Sequence, residues 1–143
     1  MLLNWSRAKR ELTVQALLDR WMNAAHPLDE HPAAWWVERF RALGYSSDGV
    51  VSESLRPAGT QVLCRGSVES ARYGLSWSPS LEMGRWFARR CGGEVWVAEF
   101  EPERLLAYMG ERFGDQQVAG GTEYIADPAG LTLVRLEDIP ITD

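Results

Sequence analysis

Four polar positions in the middle and late chain are of the type and spacing that do chemistry. Arg65 closes the short apolar run Val62-Leu63-Cys64 and is followed by Gly66. A guanidinium is always charged and offers a planar fork that grips phosphate or carboxylate oxygens bidentately, although at a strand end it can equally make a surface ion pair. Gly74-Leu75-Ser76-Trp77-Ser78-Pro79 follows. Ser78, directly before Pro79, reads as a helix N-cap whose hydroxyl satisfies amides of the first turn. Ser76 has no such local duty, so its hydroxyl can orient another group. Glu123 opens the short strand-like run Glu123-Tyr124-Ile125. A carboxylate there can be held at the rim of a buried sheet; the alternative is a solvated strand-end glutamate. Tyr73 can stack on a planar ligand or serve as an ordinary turn aromatic.

Other site chemistries find no support. The chain has no GxxxxGKS, GxGxxG, GxSxG or HExxH. Cys64, Cys91, His26 and His31 follow none of the paired zinc spacings, and neither cysteine has the local signature of a Cys-His nucleophile. We expect no metal site, and two buried thiols rather than a structural disulfide.

Taken together, an arginine ending an early strand (Val62 to Gly66), Gly74-Leu75-Ser76-Trp77-Ser78 leading into a helix, and Glu123 within Thr122-Glu123-Tyr124-Ile125 resemble the Arg, Ser, Glu signature of the ADP-ribosyltransferase folds. The resemblance spans roughly residues 61–134 and is to small stand-alone bacterial or phage members, which are often toxins or anti-defence effectors. It implies an α+β fold with a split β-sandwich, NAD as substrate, and transfer of ADP-ribose to a protein or nucleic-acid target. Nicotinamide is already a cationic leaving group, so the barrier lies in positive charge developing on the ribose. Such a site needs a cation for the pyrophosphate or ribose end, a carboxylate for the ribose, and a dry pocket.

On this resemblance Glu123, Ser76 and Arg65 form the catalytic set. Arg65, Gly66, Tyr73, Ser76, Trp77 and Ser78 are the expected NAD contacts, with Gly66 allowing close backbone approach. Trp77 replaces the small polar residue common in the family. Gly121 stands where the arginine-modifying branch carries a second Glu or Gln, which argues against arginine as the modified residue. Gln116 and Gln117 fall in a polar segment, 109–121, where such folds present a target-recognition loop. Two further readings use the same residues: an NAD glycohydrolase with water as acceptor, and a non-catalytic interaction module that keeps the fold.

The elements that must position these residues are legible as patterns. Val14, Leu17, Leu18, Trp21, Met22 and Ala25 recur at helical spacing, predicting an amphipathic helix that stops near Ala25. A second helix begins with Pro32 in its first turn, buries Trp36, Phe40 and Leu43, and ends at Gly44. Trp35 and Trp36 are read as core rather than as a ligand-stacking pair, and His26 and His31 as exposed loop or cap residues. A short strand is expected at Val50-Val51. A helix after Ser78 has Met83, Trp86, Phe87 and Arg90 on one face and ends at Gly92-Gly93. Glu94 to Phe100 alternates as a strand with Trp96, Ala98 and Phe100 on one side. Leu105 to Tyr108 is another strand, and Tyr124-Ile125 and Leu131 to Val134 are strands around an Asp127 to Gly130 turn.

Length and composition fit one domain, with a helical part over 1–45 and the proposed core over 60–136. Apolar residues make up 45% and charged residues 24% of the 143, an ordinary globular balance. The net charge of -5, with Lys9 the only lysine, argues against a broad phosphate-binding surface. No apolar run is long enough to span a membrane, and the N-terminus has no secretory leader, so a cytoplasmic location is expected.

Overall fold

The computed structural model describes residues 2–110 and 122–141. It is a mixed α+β structure, and among the described residues it holds four α-helices and two sheets with eight strands. The helices are α1 (Leu2–Asn23), α2 (Pro27–Glu30), α3 (Ala33–Leu43) and α4 (Leu81–Cys91). The strands are β1 (Ser46–Ser47), β2 (Val50–Val51), β3 (Gln61–Ser67), β4 (Ser76–Trp77), β5 (Glu94–Phe100), β6 (Leu105–Met109), β7 (Glu123–Ala126) and β8 (Val134–Arg135). One sheet has the order β2-β1-β6-β7-β4, with β1 and β6 parallel and the other pairs antiparallel; the second, β3-β5-β8, is antiparallel throughout.

Period-2 alternation sorts the side chains into three apolar clusters. Leu63, Trp77, Trp96, Ala98, Phe100, Leu105, Tyr124 and Ala126 come from both sheets and form one cluster between them. On the outer face of the five-stranded sheet, Leu75, Leu106, Ala107, Met109 and Ile125 pack against Val14, Leu17, Leu18 and Trp21 of α1 and Trp36 and Phe40 of α3. On the outer face of the other sheet, Cys64 and Val95 meet Ala88 of α4. A register shift between Leu105 and Ala107 lets Leu106 and Ala107 both face the helices, which strict alternation forbids.

Several expectations need correcting. Helix α1 ends at Asn23, and Met22 and Ala25 are exposed rather than part of the core. The N-cap of α4 is Ser80, whose hydroxyl accepts from Met83 N, and not Ser78. Ser78 is extended because its backbone exchanges two hydrogen bonds with Cys64, so the helix starts beyond Pro79. The buried face of α4 is Met83, Gly84 and Ala88, while Arg90 is exposed and Trp86 and Phe87 are partly buried. The reason is closeness of approach: with Gly66 opposite Gly84 and Ala88, the helix sits too near β3 for larger side chains. Leu131 to Leu133 is not strand; only Val134–Arg135 pairs, and with β5 rather than with β7. Trp36 is core, with Trp21 edge-on to it at 5.1 Å, whereas Trp35 is partly buried between His31, stacked at 3.7 Å, and Arg39, whose guanidinium lies 3.8 Å from the ring centre. Both cysteines are free, but only Cys64 is buried; Cys91 is exposed. Segment 111–121, with Gln116 and Gln117, lies outside the described residues.

Arg56 fastens the start of β6. Its Nη1 donates to the carbonyls of Pro102, at 2.7 Å, and Leu105, and it bonds Glu53 through Nε at 2.9 Å. That hydrogen bond from Arg56 holds the Glu53 carboxyl below its ordinary range. A depressed carboxylate stabilises the fold above its unfolded pKa, and the contribution is lost as the pH falls through the folded value. Glu53→Gln should therefore narrow the difference in stability between neutral and acid pH, read by denaturant titration at a series of pH values.

A methyl group at Gly66 would lie 2.2 Å from Gly84 O and 2.3 Å from Ala88 N, both backbone atoms. Gly66→Ala must push α4 off β3, and we expect a loss of about 2 kcal/mol, within the range of overpacking substitutions. Gly59→Ala, which meets nothing within 4 Å, is the control. Thermal unfolding of the two variants measures the difference.

Candidate functional site

Ser76 and Glu123 meet through strand register. In the β4-β7 pair Ser76 is opposite Ile125 and Trp77 opposite Tyr124. Trp77 and Tyr124 point into the cluster between the sheets, so Ser76 and Glu123 share the other face, with Glu123 diagonal to Ser76. The Ser76 hydroxyl donates to Oε2 of Glu123. The carboxylate thus has a fixed neighbour on the same sheet.

Arg65 arrives from the other sheet. It lies within β3, not at its end, and pairs with Trp96. Leu63 faces the inter-sheet cluster, and alternation puts Arg65 on that same side, where the two sheets separate. The guanidinium reaches across the gap: Nη1 donates to Ser76 O at 3.1 Å, and Nε and Nη2 both donate to Ala71 O at 3.2 Å. Those bonds take three of the five N–H groups of an arginine. Burial lowers its pKa, while the Glu123 carboxylate and then Cys91 act in the opposite direction. Gly74 makes room for it, since a Cβ there would lie 2.2 Å from Nη2.

Two adjoining clefts share Arg65, Ser76, Phe87 and Glu123. One, of about 420 Å³, is closed by the end of α1 and by α2, through Trp21, Met22, Ala25, Pro27 and Leu28. The other, of about 350 Å³, runs between β3 and α4 and includes His26, Cys64, Met83 and Cys91. Their walls are mainly apolar around a small number of polar groups, the usual character of a small-molecule site.

Of the remaining sequence candidates, Gly66, Trp77 and Ser78 also line the second cleft, and Tyr73 lies outside both. The Trp77 indole is only 1% exposed; it packs on Phe100 at 4.9 Å and donates to Gly74 O, so it supports the strand from inside the core. Gly66 borders the second cleft and also permits the close approach of α4. Ser78 is buried, and its hydroxyl donates to Thr122 O at 2.7 Å and accepts from Ser80 N, which fixes the residue before Glu123. Tyr73 is 42% exposed, donates to Leu131 O at 2.8 Å, and borders a third cleft with Arg65, Gly74, Pro27 and Asp29. Among the described residues no group of three or more His, Cys, Asp or Glu is placed to hold a metal ion, and no helix is long and apolar enough to cross a membrane.

Sequence reasoning missed the walls contributed by the first helices, and with them His26. The available signal was Met22 and Ala25, apolar positions at the end of the α1 stripe just before the His26-Pro27 break.

An ammonium cannot span Ala71 O and Ser76 O as a guanidinium does. Arg65→Lys should therefore lower stability by about 1–3 kcal/mol despite keeping the charge, the scale of losing hydrogen bonds from a charged donor to these carbonyls. Denaturant unfolding of this variant beside the parent checks it. No family model, curated protein or solved structure matches the chain.

Proposed function

We propose that the chain is an ADP-ribosyltransferase-like enzyme that cleaves the nicotinamide bond of NAD and passes the ADP-ribosyl group to a macromolecular acceptor. The observation that carries this reading is the convergence of Arg65, Ser76 and Glu123, from two different sheets, on one pair of clefts, with the Ser76 hydroxyl bonded to the Glu123 carboxylate. The two-sheet arrangement, with Arg65 on one sheet and Ser76 and Glu123 on the other, supports assigning the fold to the split β-sandwich of that family.

The residues present suit the substrate. Glu123 supplies a fixed negative charge next to which positive charge on a ribose can develop, and the low-dielectric surroundings strengthen that interaction. Ser76 keeps the carboxylate oriented. Arg65 supplies the cation for the pyrophosphate or ribose end while holding the Ser76 and Ala71 backbone in place. The apolar walls, including Phe87 and Leu75, provide the dry surroundings a nicotinamide needs.

Under this reading Glu123→Gln keeps the shape of the side chain but removes the charge. Turnover of NAD should fall at least about 100-fold, the scale of losing one preorganised electrostatic partner, while calorimetric affinity for NAD stays within several-fold. An unchanged rate refutes the assignment. Label from NAD appearing on a partner macromolecule marks transfer; nicotinamide release with no labelled acceptor marks hydrolysis by water. A folded protein that binds no NAD would instead indicate an interaction module.

A further inference from the structure

Transfer of an ADP-ribosyl group to an O–H or N–H acceptor frees one proton, which a group beside the acceptor must receive. We propose that His26 is the general base of the reaction, accepting the acceptor's proton as the new bond forms. This rests on the NAD reading of the site. In the step, the bond between ribose C1′ and the nicotinamide nitrogen breaks with its electron pair leaving on nicotinamide, which becomes neutral. A lone pair of the acceptor forms the new bond to C1′, and the acceptor's proton passes to the imidazole. Nothing is oxidised or reduced.

His26 is placed for this by a stiff elbow. Helix α1 ends at Asn23, and His26 takes the N-cap position of α2. The His26 carbonyl accepts from Asp29 N at 3.0 Å. The carbonyl of the next residue, Pro27, accepts from the buried Trp36 indole at 3.0 Å and from His31 N at 3.2 Å. The backbone is thus fastened while the residue itself is exposed. It borders the cleft that contains Ser76 and Glu123, and also the neighbouring one with Arg65 and Tyr73.

The other groups bordering these clefts are less suited. Glu123 already accepts from Ser76 and, in the proposed reaction, faces the ribose. Arg65 has no lone pair to take a proton. Burial pushes the Cys64 thiol up, and its proton is directed at Ser80 O. Cys91 directs its thiol at Ala88 O within α4. Histidine is the side chain whose ordinary range lets it exchange a proton near neutral pH. The charged and titratable groups that line these clefts with it are Asp29 on α2, Cys64 and Arg65 on β3, Tyr73 before β4, Cys91 on α4 and Glu123 on β7.

The test uses the full chain and NAD labelled in the nicotinamide ring, with nicotinamide release followed between about pH 5 and 9. The assay is run in buffer, where water is the acceptor, and again with cell lysate as a source of acceptors. The parent protein is expected to gain rate with pH through the histidine range in at least one condition. His26→Asn should lose that rise and be slower by on the order of 100-fold above it, with NAD affinity held within several-fold. Added imidazole should restore part of the rate to His26→Gly. A His26→Asn variant with the parent's rate and pH profile overturns the proposal while leaving the NAD reading intact. So does a slow variant that keeps the pH profile and is not rescued by imidazole, because that marks a structural role. A parent protein that releases no nicotinamide in either condition overturns the NAD reading and this proposal with it.

Discussion

The site depends on a single antiparallel bridge between sheets. Cys64 N donates to Ser78 O at 2.8 Å and Ser78 N to Cys64 O at 2.9 Å, tying β3 of the three-stranded sheet to the residue that follows β4 of the five-stranded one. Only because these two positions are locked together does Arg65, one residue past Cys64, face Ser76, two residues before Ser78. The same lock holds Ser78 extended, delays the start of α4 to Leu81, and aims the Ser78 hydroxyl at Thr122 O beside Glu123. Loss of that pair would separate the cation from the carboxylate without removing either.

Around the bridge, small residues set the distances. Gly66 and Gly84 allow α4 to lie on β3, and Gly74 leaves room for the Arg65 guanidinium. These glycines are needed for space, not for a left-handed backbone, which in this part of the chain occurs at Gly92, the C-cap of α4. Arginines do the complementary work by bonding carbonyls at strand starts and in connections: Arg65 at Ala71 and Ser76, Arg56 at Pro102 and Leu105, and Arg104 at Asp127 and Ala129. A charged donor fork satisfies several buried acceptors at once, which suits a fold whose strands are short and whose connections are many.

Much of this was legible in the chain. The alternation of Glu94 to Phe100 gave β5 with its buried Trp96, Ala98 and Phe100, because period 2 survives any packing arrangement. The apolar stripe of α1 predicted Val14, Leu17, Leu18 and Trp21 in the core, and Gly44 and Gly92 ended their helices as expected. Where reading failed, a long-range contact had overridden a local preference. Ser78-Pro79 is a good helix start by itself, but pairing with Cys64 outweighed it, and Ser80 capped the helix instead. Trp77 is turned into the core by the β4-β7 register, an orientation that no local pattern encodes.

The residue types at the site were fixed by sequence: a guanidinium after an apolar strand, a serine without a local task, a glutamate at the start of a late strand. Their chemistry follows from those types alone. Their proximity does not, since 47 positions separate Ser76 from Glu123 and neither helical nor strand periodicity reaches that far. Only the tertiary structure decided that the diagonal of β4 and β7 joins these two side chains and that Arg65 crosses between sheets to meet them. It also decided that Met22, Ala25 and His26, at the frayed end of an amphipathic stripe, border the same space. The physical reason is that strand pairing is a non-local bond: its partners are selected by whole-chain burial and register, which no short stretch of sequence contains.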